Sequence, residues 1–315
     1  MDVLTDILNT LRLKGSLYFR TELTSPWGVY VPAERNVARF HIVIRGHCSL
    51  RVEGQKNSLS MANGDLVIIP HGAAHHIVDD LNTPSRPLED VLSEVGYSGT
   101  GPLIYGGGGL GCCLVCGQFK FENEVFHPLL DNLPAILHIL GNESYNTKWL
   151  DSAMGFIANE AATEQPGAFA IIDRLSEIIF IQVIRAYMNA SKSHIPFIAA
   201  LRDPQISRAL SEIHNRPDLY WTAEKLGHVV GMSRSVFFNR FSQLVGMTPH
   251  EYMTLVRMQK AGRLLASTQK PLNVIAESVG YTSEAAFSTS FKQHFGKRPG
   301  EYRRNRKDQS TDQQE

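Results

Sequence analysis

The sequence lacks long apolar runs, an excess of either charge and a spaced set of cysteines. No stretch of about 18 apolar residues occurs, and no apolar segment follows a basic start, so neither a membrane-spanning helix nor a secretion signal is predicted. Of the four cysteines, Cys112, Cys113 and Cys116 lie within five positions, which is not the spacing of a disulfide framework. We therefore expect a cytoplasmic protein with mostly reduced thiols.

The formal net charge is zero, with 31 basic and 31 acidic residues among 315, but the charges are unevenly placed. Residues 201–307 carry 17 Lys and Arg against 8 Asp and Glu, whereas the other residues carry 14 against 23. A basic C-terminal part beside an acidic N-terminal part favours phosphate binding at one end only, although a solvated basic face gives the same count. The length predicts two domains.

The stretch from Trp221 to Gly246 has the pattern of helix, tight turn and helix. Gly231 lies where a turn needs positive φ, and Ser233 is placed to cap a second helix. In that helix Phe237 and Phe241 form an apolar stripe. This is the pattern of a helix-turn-helix, whose second helix enters a DNA major groove.

The pattern repeats 50 residues later. Ser233, Phe237 and Phe241 correspond to Ser283, Phe287 and Phe291, and the closing Gly246 and Pro249 correspond to Gly296 and Pro299. The turn before Ser283, which contains Gly280, is one residue longer. Between the two units, residues 250–267 have a helical pattern. The sequence therefore predicts two reading units joined by one stiff helix, which suits successive major grooves about 34 Å apart.

At these residues the chain resembles the AraC/XylS family of transcription regulators. The closing stretch AESVGYTSEAAFSTSFKQHFGKRPGEYR, residues 276–303, matches that family's signature nearly throughout, and the likeness covers about residues 201–307. The resemblance implies double-stranded promoter DNA as a partner and contact with RNA polymerase. It also implies that a cupin-like barrel precedes the DNA-binding part.

The outward positions of the two second helices are the candidate DNA contacts. For the first unit these are Arg234, Ser235, Phe238, Asn239 and Ser242, and for the second they are Glu284, Ala285, Ser288 and Thr289. Asparagine can pair with adenine, arginine with guanine or phosphate, and a phenyl ring can touch a thymine methyl group or pack at the rim. Glu284 can accept from cytosine N4 or stabilise its helix N-terminus. Lys292, Lys297 and Arg298 are phosphate candidates.

The N-terminal part is rich in predicted strands, at residues 16–24, 27–31, 40–44, 49–52 and 111–121. The segment NGDLVIIPHGAAHHI at residues 63–77 has the spacing G-x5-P-x-G-x2-H, which resembles the second motif of the cupin barrel. His41 can stand for one ligand of the first cupin motif, but no second histidine or glutamate follows at the usual spacing. Residues 79–103 are predicted to be a long loop.

Three signals are open for the barrel. His41, His75, Cys116 and His127 are candidate ligands for zinc or another divalent metal, each with a plain structural alternative. Cys48, Cys112, Cys113 and Cys116 are candidates for a thiol switch, either through the Cys113-x-x-Cys116 pair or, as plausibly, through Cys48 with Cys112 or Cys116. A small organic effector in the cavity is the third, and the one we favour.

Helical periodicity begins at residue 128, with helices predicted at 147–164 and 167–190. The second is more apolar than one stripe requires, so we interpret it as a helix of a homodimer, or else as one docked on its own barrel.

The sequence thus predicts an α+β multidomain protein, with a cupin-like β-barrel and flanking helices followed by an all-α domain with two helix-turn-helix units. We place the sensor barrel at 1–145, a helical dimerisation and linker region at 146–200, the DNA-binding domain at 201–307 and a disordered tail at 308–315. The predicted function is that of a regulator and not an enzyme. The alternative is a cupin metalloenzyme with a regulatory tail.

Overall fold

A computed structural model describes residues 2–11, 13–99, 101–121, 127–141, 152–153, 155–157, 159–160, 165–189 and 195–311. By its internal contacts the chain forms two units, residues 12–192 and residues 1–11 together with 193–315. No helix in these described ranges is both long and apolar enough to cross a membrane.

The unit at residues 12–192 is built on two β-sheets. Its strands are β1 (Leu13–Thr24), β2 (Gly28–Val31), β3 (Val37–Arg45), β4 (His47–Val52), β5 (Leu59–Ala62), β6 (Leu66–Ile69), β7 (His75–Val78), β8 (Arg86–Pro87), β9 (Leu103–Gly106), β10 (Gly111–Phe121) and β11 (Leu137–Ile139). One sheet has the order β11-β6-β3-β10-β1-β9 and the other has the order β5-β4-β7-β2-β8. Side chains of both sheets meet in one apolar core, which includes Leu23, Val43, Leu50 and Ile77.

Strand β10 is the centre of the larger sheet. It pairs antiparallel with β1 on one side and with β3 on the other. Residues 112–119 of β10 are buried, which explains why GCCLVCGQF has almost no polar alternation. The strand predicted at residues 111–121 is therefore confirmed with its bounds.

The loop predicted at residues 79–103 is wrong in part. A helix, α2 (Leu88–Glu94), begins directly after Pro87 and buries Val91 against Val29 and Val31. Its single apolar turn is too short to show helical periodicity among the surrounding prolines and glycines, which is why the pattern indicated a loop. The short helix α3 (Pro128–Asp131) follows later in this unit.

A long helix, α4 (Ala168–Asn189), packs against β1 and confirms the helix predicted at 167–190. Phe180 contacts Phe119, with ring centroids 5.1 Å apart. Gly15 permits the close approach, because a Cβ atom there would lie 2.7 Å from the carbonyl oxygen of Asp173. The helix predicted at 147–164 lies largely outside the described residues.

The second unit is helical. Its C-terminal helices are α5 (Pro196–Arg202), α6 (Pro204–Asn215), α7 (Ala223–Val230), α8 (Arg234–Val245), α9 (Pro249–Ser267), α10 (Leu272–Ser278), α11 (Glu284–Phe295) and α12 (Pro299–Thr311). The helix that begins at Pro299 extends as far as Thr311, into the segment 308–315 that was predicted to be disordered. Residues 312–315 lie outside the described part.

The same unit includes α1 (Val3–Leu11), which was predicted to belong to the barrel domain at residues 1–145. Its Val3, Ile7 and Leu11 are buried, at the helical spacing of one face. The helix contacts α6 and α9. The contacts thus group residues 1–11 with the C-terminal helices. The domain boundaries given from the sequence remain predictions.

Buried polar groups fix this docking. Asp6 Oδ2 lies 2.6 Å from His214 Nδ1, and His214 Nε2 lies 2.8 Å from the hydroxyl of Tyr252. Arg263 also donates to Asp6, at 3.4 Å. Burial raises the pKa of Asp6, but the hydrogen bond from His214 and the charge of Arg263 outweigh it, so the pKa lies below the usual value.

Candidate nucleic-acid interface and sensor cavity

The first helix-turn-helix is formed by α7 and α8, with the turn that was predicted. Gly231 has φ of +72° and ends α7. Ser233 then caps α8 by accepting from the backbone N–H of Val236. Phe237 and Phe241 are fully buried on the inner side of α8, and Phe241 contacts Tyr252 of α9, with ring centroids 5.8 Å apart. Both ends of the reading helix are thus held by local hydrogen bonds and by aromatic packing.

The second helix-turn-helix, α10 and α11, repeats this geometry. Gly280 has φ of +81°, and Ser283 accepts from the N–H of Ala286. One residue separates Gly231 from Ser233 and two separate Gly280 from Ser283, and both serines cap their helices, so the longer second turn is confirmed. Phe287 and Phe291 are buried in a core shared with Tyr302.

The helix α9 joins the two helix-turn-helix units, and its 19 residues span about 28 Å. It starts with a capping box, in which Thr248 and Glu251 satisfy each other's backbone N–H groups.

Most of the predicted DNA contacts are exposed. The exposed ones are Arg234, Ser235, Phe238, Asn239, Glu284, Ala285, Thr289, Lys292, Lys297 and Arg298, and Ser288 is half-buried. Phe238 is 41% exposed although its neighbour Phe237 is fully buried. The outer face of α8 is therefore available to a partner along its N-terminal half.

Ser242 differs from the prediction. The residue is half-buried and its hydroxyl oxygen is buried, so the hydroxyl does not point outward.

Two arginines of this unit are already engaged in contacts within the protein. Arg240 forms an ion pair with Asp203, and Arg303 donates to the carbonyl oxygen of Lys270 at 2.7 Å. These contacts leave Arg234 as the exposed arginine at the start of α8.

Between the two sheets of the barrel lies an apolar cavity of about 30 Å³. Leu23, Val29, Leu103 and Leu114 are among its aliphatic lining residues. Polar lining comes from Trp27, Tyr18, Arg39, His41 and Cys116. By the same measure the volume holds roughly two water molecules.

Three of the predicted metal ligands, His41, His75 and Cys116, form a row of hydrogen-bonded side chains. His41 Nδ1 is 3.1 Å from Cys116 Sγ, and His41 Nε2 is 2.9 Å from His75 Nε2. His75 Nδ1 is 2.9 Å from the carbonyl oxygen of Ala73, which only accepts, so Nδ1 carries the proton. It follows that His41 donates from Nε2 to His75 and accepts at Nδ1 from the Cys116 thiol.

The pKa values of these three side chains agree with neutral groups. Burial, followed by the charges of His75 and Arg39, lowers the pKa of His41 well below its usual value. Burial lowers the pKa of His75 to about 4, and burial raises the pKa of Cys116. At pH 7 these three side chains therefore form a neutral hydrogen-bond relay inside the barrel.

These ligand candidates do not fit one metal centre in this geometry. Cys116 and His75 lie at opposite nitrogens of the His41 ring, so the three cannot point at one ion. His127 caps α3 instead, where its Nδ1 accepts from the N–H of Leu129. Within the described residues no group of three or more His, Cys, Asp or Glu is arranged to hold a metal.

The cysteines divide into separate contacts. All four are buried free thiols. Cys48 and Cys112 are hydrogen-bonded to each other, whereas Cys113 contacts Arg20. The hydrogen bond from Cys48 and the charge of Arg45 lower the pKa of Cys112, whereas the hydrogen bond with Cys112 and burial raise the pKa of Cys48. The Cys48–Cys112 pairing is thus the contact among the predicted options that the structure brings together.

Sequence reasoning missed three residues of these sites. Val236 is 54% exposed on α8. Arg39 and Trp27 line the cavity. A charged residue within the apolar strand VARFHIVI was a usable signal for Arg39, but nothing in the local pattern separates Val236 from the core valines.

Comparison with known families matches residues 2–189 to a family described as Cupin and residues 226–305 to one described as Helix-turn-helix domain. The chain is 30% identical to a putative AraC-like transcription regulator from Streptomyces antibioticus, over 96% of this chain and 99% of that protein. It is also 30% identical to the HTH-type transcriptional regulator AlkR from Acinetobacter baylyi, again over 96% and 99%.

Among solved structures, the C-terminal domain of AraT, a response regulator from Geobacillus stearothermophilus, is 34% identical and covers 33% of this chain and 87% of its own, with a TM-score of 0.32. The relatives that match nearly end to end are named as regulators and share both parts of the chain. The chain belongs to the AraC family of transcriptional regulators, with an N-terminal cupin domain and a C-terminal helix-turn-helix DNA-binding domain.

Proposed function

We propose that this protein binds promoter DNA as a homodimer and that a small effector in the barrel changes this binding. The observation that carries the proposal is the exposed face of α8, where Arg234, Phe238 and Asn239 lie on a helix fixed by Ser233 and by two buried phenylalanines. An effector alters DNA binding only if its affinity differs between two arrangements of the protein.

Selection of bound sequences from random DNA by the full chain tests this proposal. We expect an enriched site with two copies of one motif, each copy having two parts about one helical turn apart, since each chain of the dimer offers two reading helices. Equal binding of the enriched and scrambled sequences at moderate salt would contradict sequence-specific regulation.

The two reading helices are proposed to act differently. Arg234, Phe238 and Asn239 offer groups that suit guanine, thymine and adenine edges. The outer face of α11 carries Glu284, Ala285 and Thr289, which are small or acidic. Lys292, Lys297 and Arg298 are then phosphate contacts, which supply affinity to all sequences. Contact with RNA polymerase is proposed from family membership.

Dimerisation is proposed to use the outer face of α4. Ile171 and Ile178 are 45% and 47% exposed, seven residues apart on one side of the helix, although its other side packs on the barrel. Ile178→Glu is expected to raise the concentration at which dimers form, as measured by sedimentation. Ile104→Glu is the matched control, because Ile104 is an isoleucine that is 66% exposed on β9, outside this helix. Equal dimerisation of both variants with the original would contradict this face.

An oxidant is a second candidate signal, favoured by the contact between Cys48 and Cys112. A peroxide would take two electrons from the two thiols, forming one disulfide and leaving as alcohol and water. Since Cys48 lies on β4 and Cys112 on β10, the bond would link the two sheets. If this is the signal, Cys112→Ser abolishes the effect of peroxide on DNA binding and Cys113→Ser does not. An unchanged response in Cys112→Ser would reject this candidate.

A further inference from the structure

We propose that Arg257, on the helix that joins the two helix-turn-helix units, holds the two reading helices in a fixed relation and so determines which spacing between the two parts of a DNA motif the protein accepts. Arg257 is thus a positioning residue for DNA recognition. The inference rests on the proposed function and deepens it. It is carried by contacts that link the two helix-turn-helix units beside α9.

The guanidinium of Arg257 binds the chain that leads into the first helix-turn-helix. Arg257 lies in the middle of α9 and is half-buried. Its Nε donates to the carbonyl oxygen of Pro217 at 2.8 Å, and its Nη2 donates to that of Leu219 at 2.9 Å. Both carbonyl groups belong to the segment 216–221, between α6 and α7. Because a guanidinium presents its N–H groups in a rigid planar fork, one side chain fixes both carbonyl oxygens at once.

The segment 216–221 is itself held to the first helix-turn-helix. The backbone N–H of Trp221 donates to the carbonyl oxygen of Leu219 at 2.9 Å, so this oxygen also accepts from within the segment. The next residue, Thr222, caps α7 by accepting from the N–H of Lys225. The helix α7 in turn packs on the reading helix α8. A displacement of the segment is therefore transmitted to the first reading helix.

The same guanidinium lies against the second helix-turn-helix. Its Cζ is 5.8 Å from the ring centroid of Tyr281, in the turn between α10 and α11. The Tyr281 hydroxyl donates to Ser290 Oγ at 2.9 Å, and its ring contacts that of Phe287, with centroids 5.8 Å apart. Ser290 and Phe287 both belong to the reading helix α11. Arg257 therefore bridges the second reading helix, through Tyr281, to the segment of the first.

Gly280 allows a close approach of the two units beside this bridge. A Cβ atom at this position would lie 2.7 Å from the carbonyl oxygen of Asp218, 3.0 Å from that of Pro217 and 2.9 Å from Arg257 Nη2. Only glycine permits the backbone to come so near its neighbours. The turn of the second helix-turn-helix thus packs directly on the segment that Arg257 holds.

The bridge adds a second link between units that α9 already joins. The two units pack on different stretches of α9, since Phe241 of the first contacts Tyr252, whereas Met258 and Leu265 belong to the core of the second. Long helices bend, so a single helix lets the units at its two ends move relative to each other. A link beside the helix axis restricts this bending, which keeps the two reading helices in register with the DNA.

Binding to DNA of altered spacing tests the proposal. The probes are the site that the full chain enriches from random DNA, and the same site with one base pair added or removed between the two parts of each motif copy. One base pair moves the second part by about 3.4 Å and turns it by roughly 35° about the duplex axis. We expect wild type to bind the original site roughly a hundredfold more tightly than either altered site, since several base contacts are lost together.

The variant Arg257→Met removes the donors and keeps a long side chain. We expect it to lower this ratio of affinities about fivefold, the usual size of a coupling between two sites. Arg257→Lys keeps the charge without the planar fork, so it should recover only part of the ratio. Circular dichroism establishes that each variant is folded, and fluorescence anisotropy measures the affinities.

Arg263→Met is the matched control. It removes the same charge from the same helix, but Arg263 donates to Asp6 of α1 and not to the segment 216–221. Its ratio of affinities should equal that of wild type. The proposal is overturned if wild type does not prefer the original spacing, if folded Arg257→Met keeps the wild-type ratio, or if Arg263→Met lowers the ratio equally.

A measurement without DNA separates this inference from the function on which it rests. Spin labels at Ser235→Cys in α8 and Thr289→Cys in α11, both exposed positions, report the distance between the reading helices by double electron–electron resonance. The four native cysteines are buried, so the label reaches the introduced ones. Labelled chain is mixed with an excess of unlabelled chain, so that only distances within one chain contribute.

We expect the distance distribution to broaden in Arg257→Met and to stay unchanged in Arg263→Met. An unchanged distribution in Arg257→Met would overturn the bridge even if the chain selects a DNA motif. If the distribution broadens although the chain prefers no DNA sequence, the fixed relation of the two helices stands and sequence-specific binding fails.

Discussion

The two helix-turn-helix units of this protein share a scaffold and differ in what they present. In both, a glycine with positive φ ends the first helix, a serine caps the second, and two phenylalanines anchor it. The outer face of α8 carries Val236 and Phe238, 54% and 41% exposed, whereas that of α11 carries Glu284 and Thr289. The comparison teaches that the repeat preserves the parts that build a reading helix and varies the parts that meet its partner.

The largest expected effect tests the shared scaffold. Phe237→Ala and Phe287→Ala should each lower the free energy of unfolding by about 3–5 kcal/mol, because both rings are fully buried. Urea unfolding followed by circular dichroism measures the loss. Phe238→Ala is the matched control in the adjacent position, and since its ring is partly exposed we expect a change within about 0.5 kcal/mol. A loss confined to one of the two core variants would break the equivalence of the units.

The turn glycines should differ, although both have positive φ. Gly231→Ala is expected to cost about 1–2 kcal/mol in unfolding free energy, from backbone strain alone, since a Cβ atom there meets nothing within 4 Å. At Gly280 a Cβ atom would lie 2.7 Å from the carbonyl oxygen of Asp218, so Gly280→Ala should cost about 1–3 kcal/mol more. Thermal unfolding compares the two variants, and equal midpoints would show that the second turn relaxes freely.

The helix α1 contacts α6 and α9, and the contribution of Asp6 to this contact should depend on pH. The pKa of Asp6 is lowered by folding, so its ionised form stabilises the protein above its usual pKa of 3.8, and this contribution is lost as the pH falls through the lower folded value. Asp6→Asn should therefore lower the unfolding free energy at pH 7 by about 1–3 kcal/mol.

Urea unfolding at pH 7 and near pH 3 measures this difference, which should shrink at the lower pH. Asp2→Asn is the control, since the Asp2 carboxylate is exposed and accepts from Thr5 instead of from His214 or Arg263. A difference between wild type and Asp6→Asn that stays constant with pH would argue against an ionised Asp6.

The last prediction concerns DNA. Asn239→Ala should lower discrimination between the selected and the scrambled sequence by about 1–3 kcal/mol, and Thr289→Ala by less. Lys297→Ala is the contrasting variant, expected to weaken binding to both sequences alike and to reduce the salt dependence by about one phosphate contact. Fluorescence anisotropy at two salt concentrations measures both. If Thr289→Ala relaxed specificity more than Asn239→Ala, the proposed division between the two units would be reversed.

The helical part of the fold was readable from the sequence because its signals are local. Turn glycine, capping serine and phenylalanines four apart lie within one stretch of chain, and the structure places them as expected. Strand β10 was also recognised with its bounds, since its buried run is bracketed by Gly111 and a charged end at Lys120. By contrast, α2 has one buried residue, Val91, and one apolar turn gives no period to detect.

The sites of the barrel depend on contacts between distant residues, which a single sequence does not encode visibly. Cys48 meets Cys112 across two sheets, and His41 meets His75 through strand order. The sequence supplied the right residue types, but only the register of β3 and β10 shows that His41 faces Cys116 and not a common metal position with it. The buried hydroxyl of Ser242 is likewise a rotamer outcome that helical spacing leaves undetermined.

The placement of α1 sets an order of events during synthesis. Residues 3–11 leave the ribosome roughly 190 residues before α6 begins at Pro204, a delay of about 10–40 s at ordinary bacterial elongation rates. Throughout that time Val3, Ile7 and Leu11 have none of their final neighbours from α6 and α9. The DNA-reading part of this regulator is therefore completed only when α6 and α9 meet a helix that was synthesised well before them.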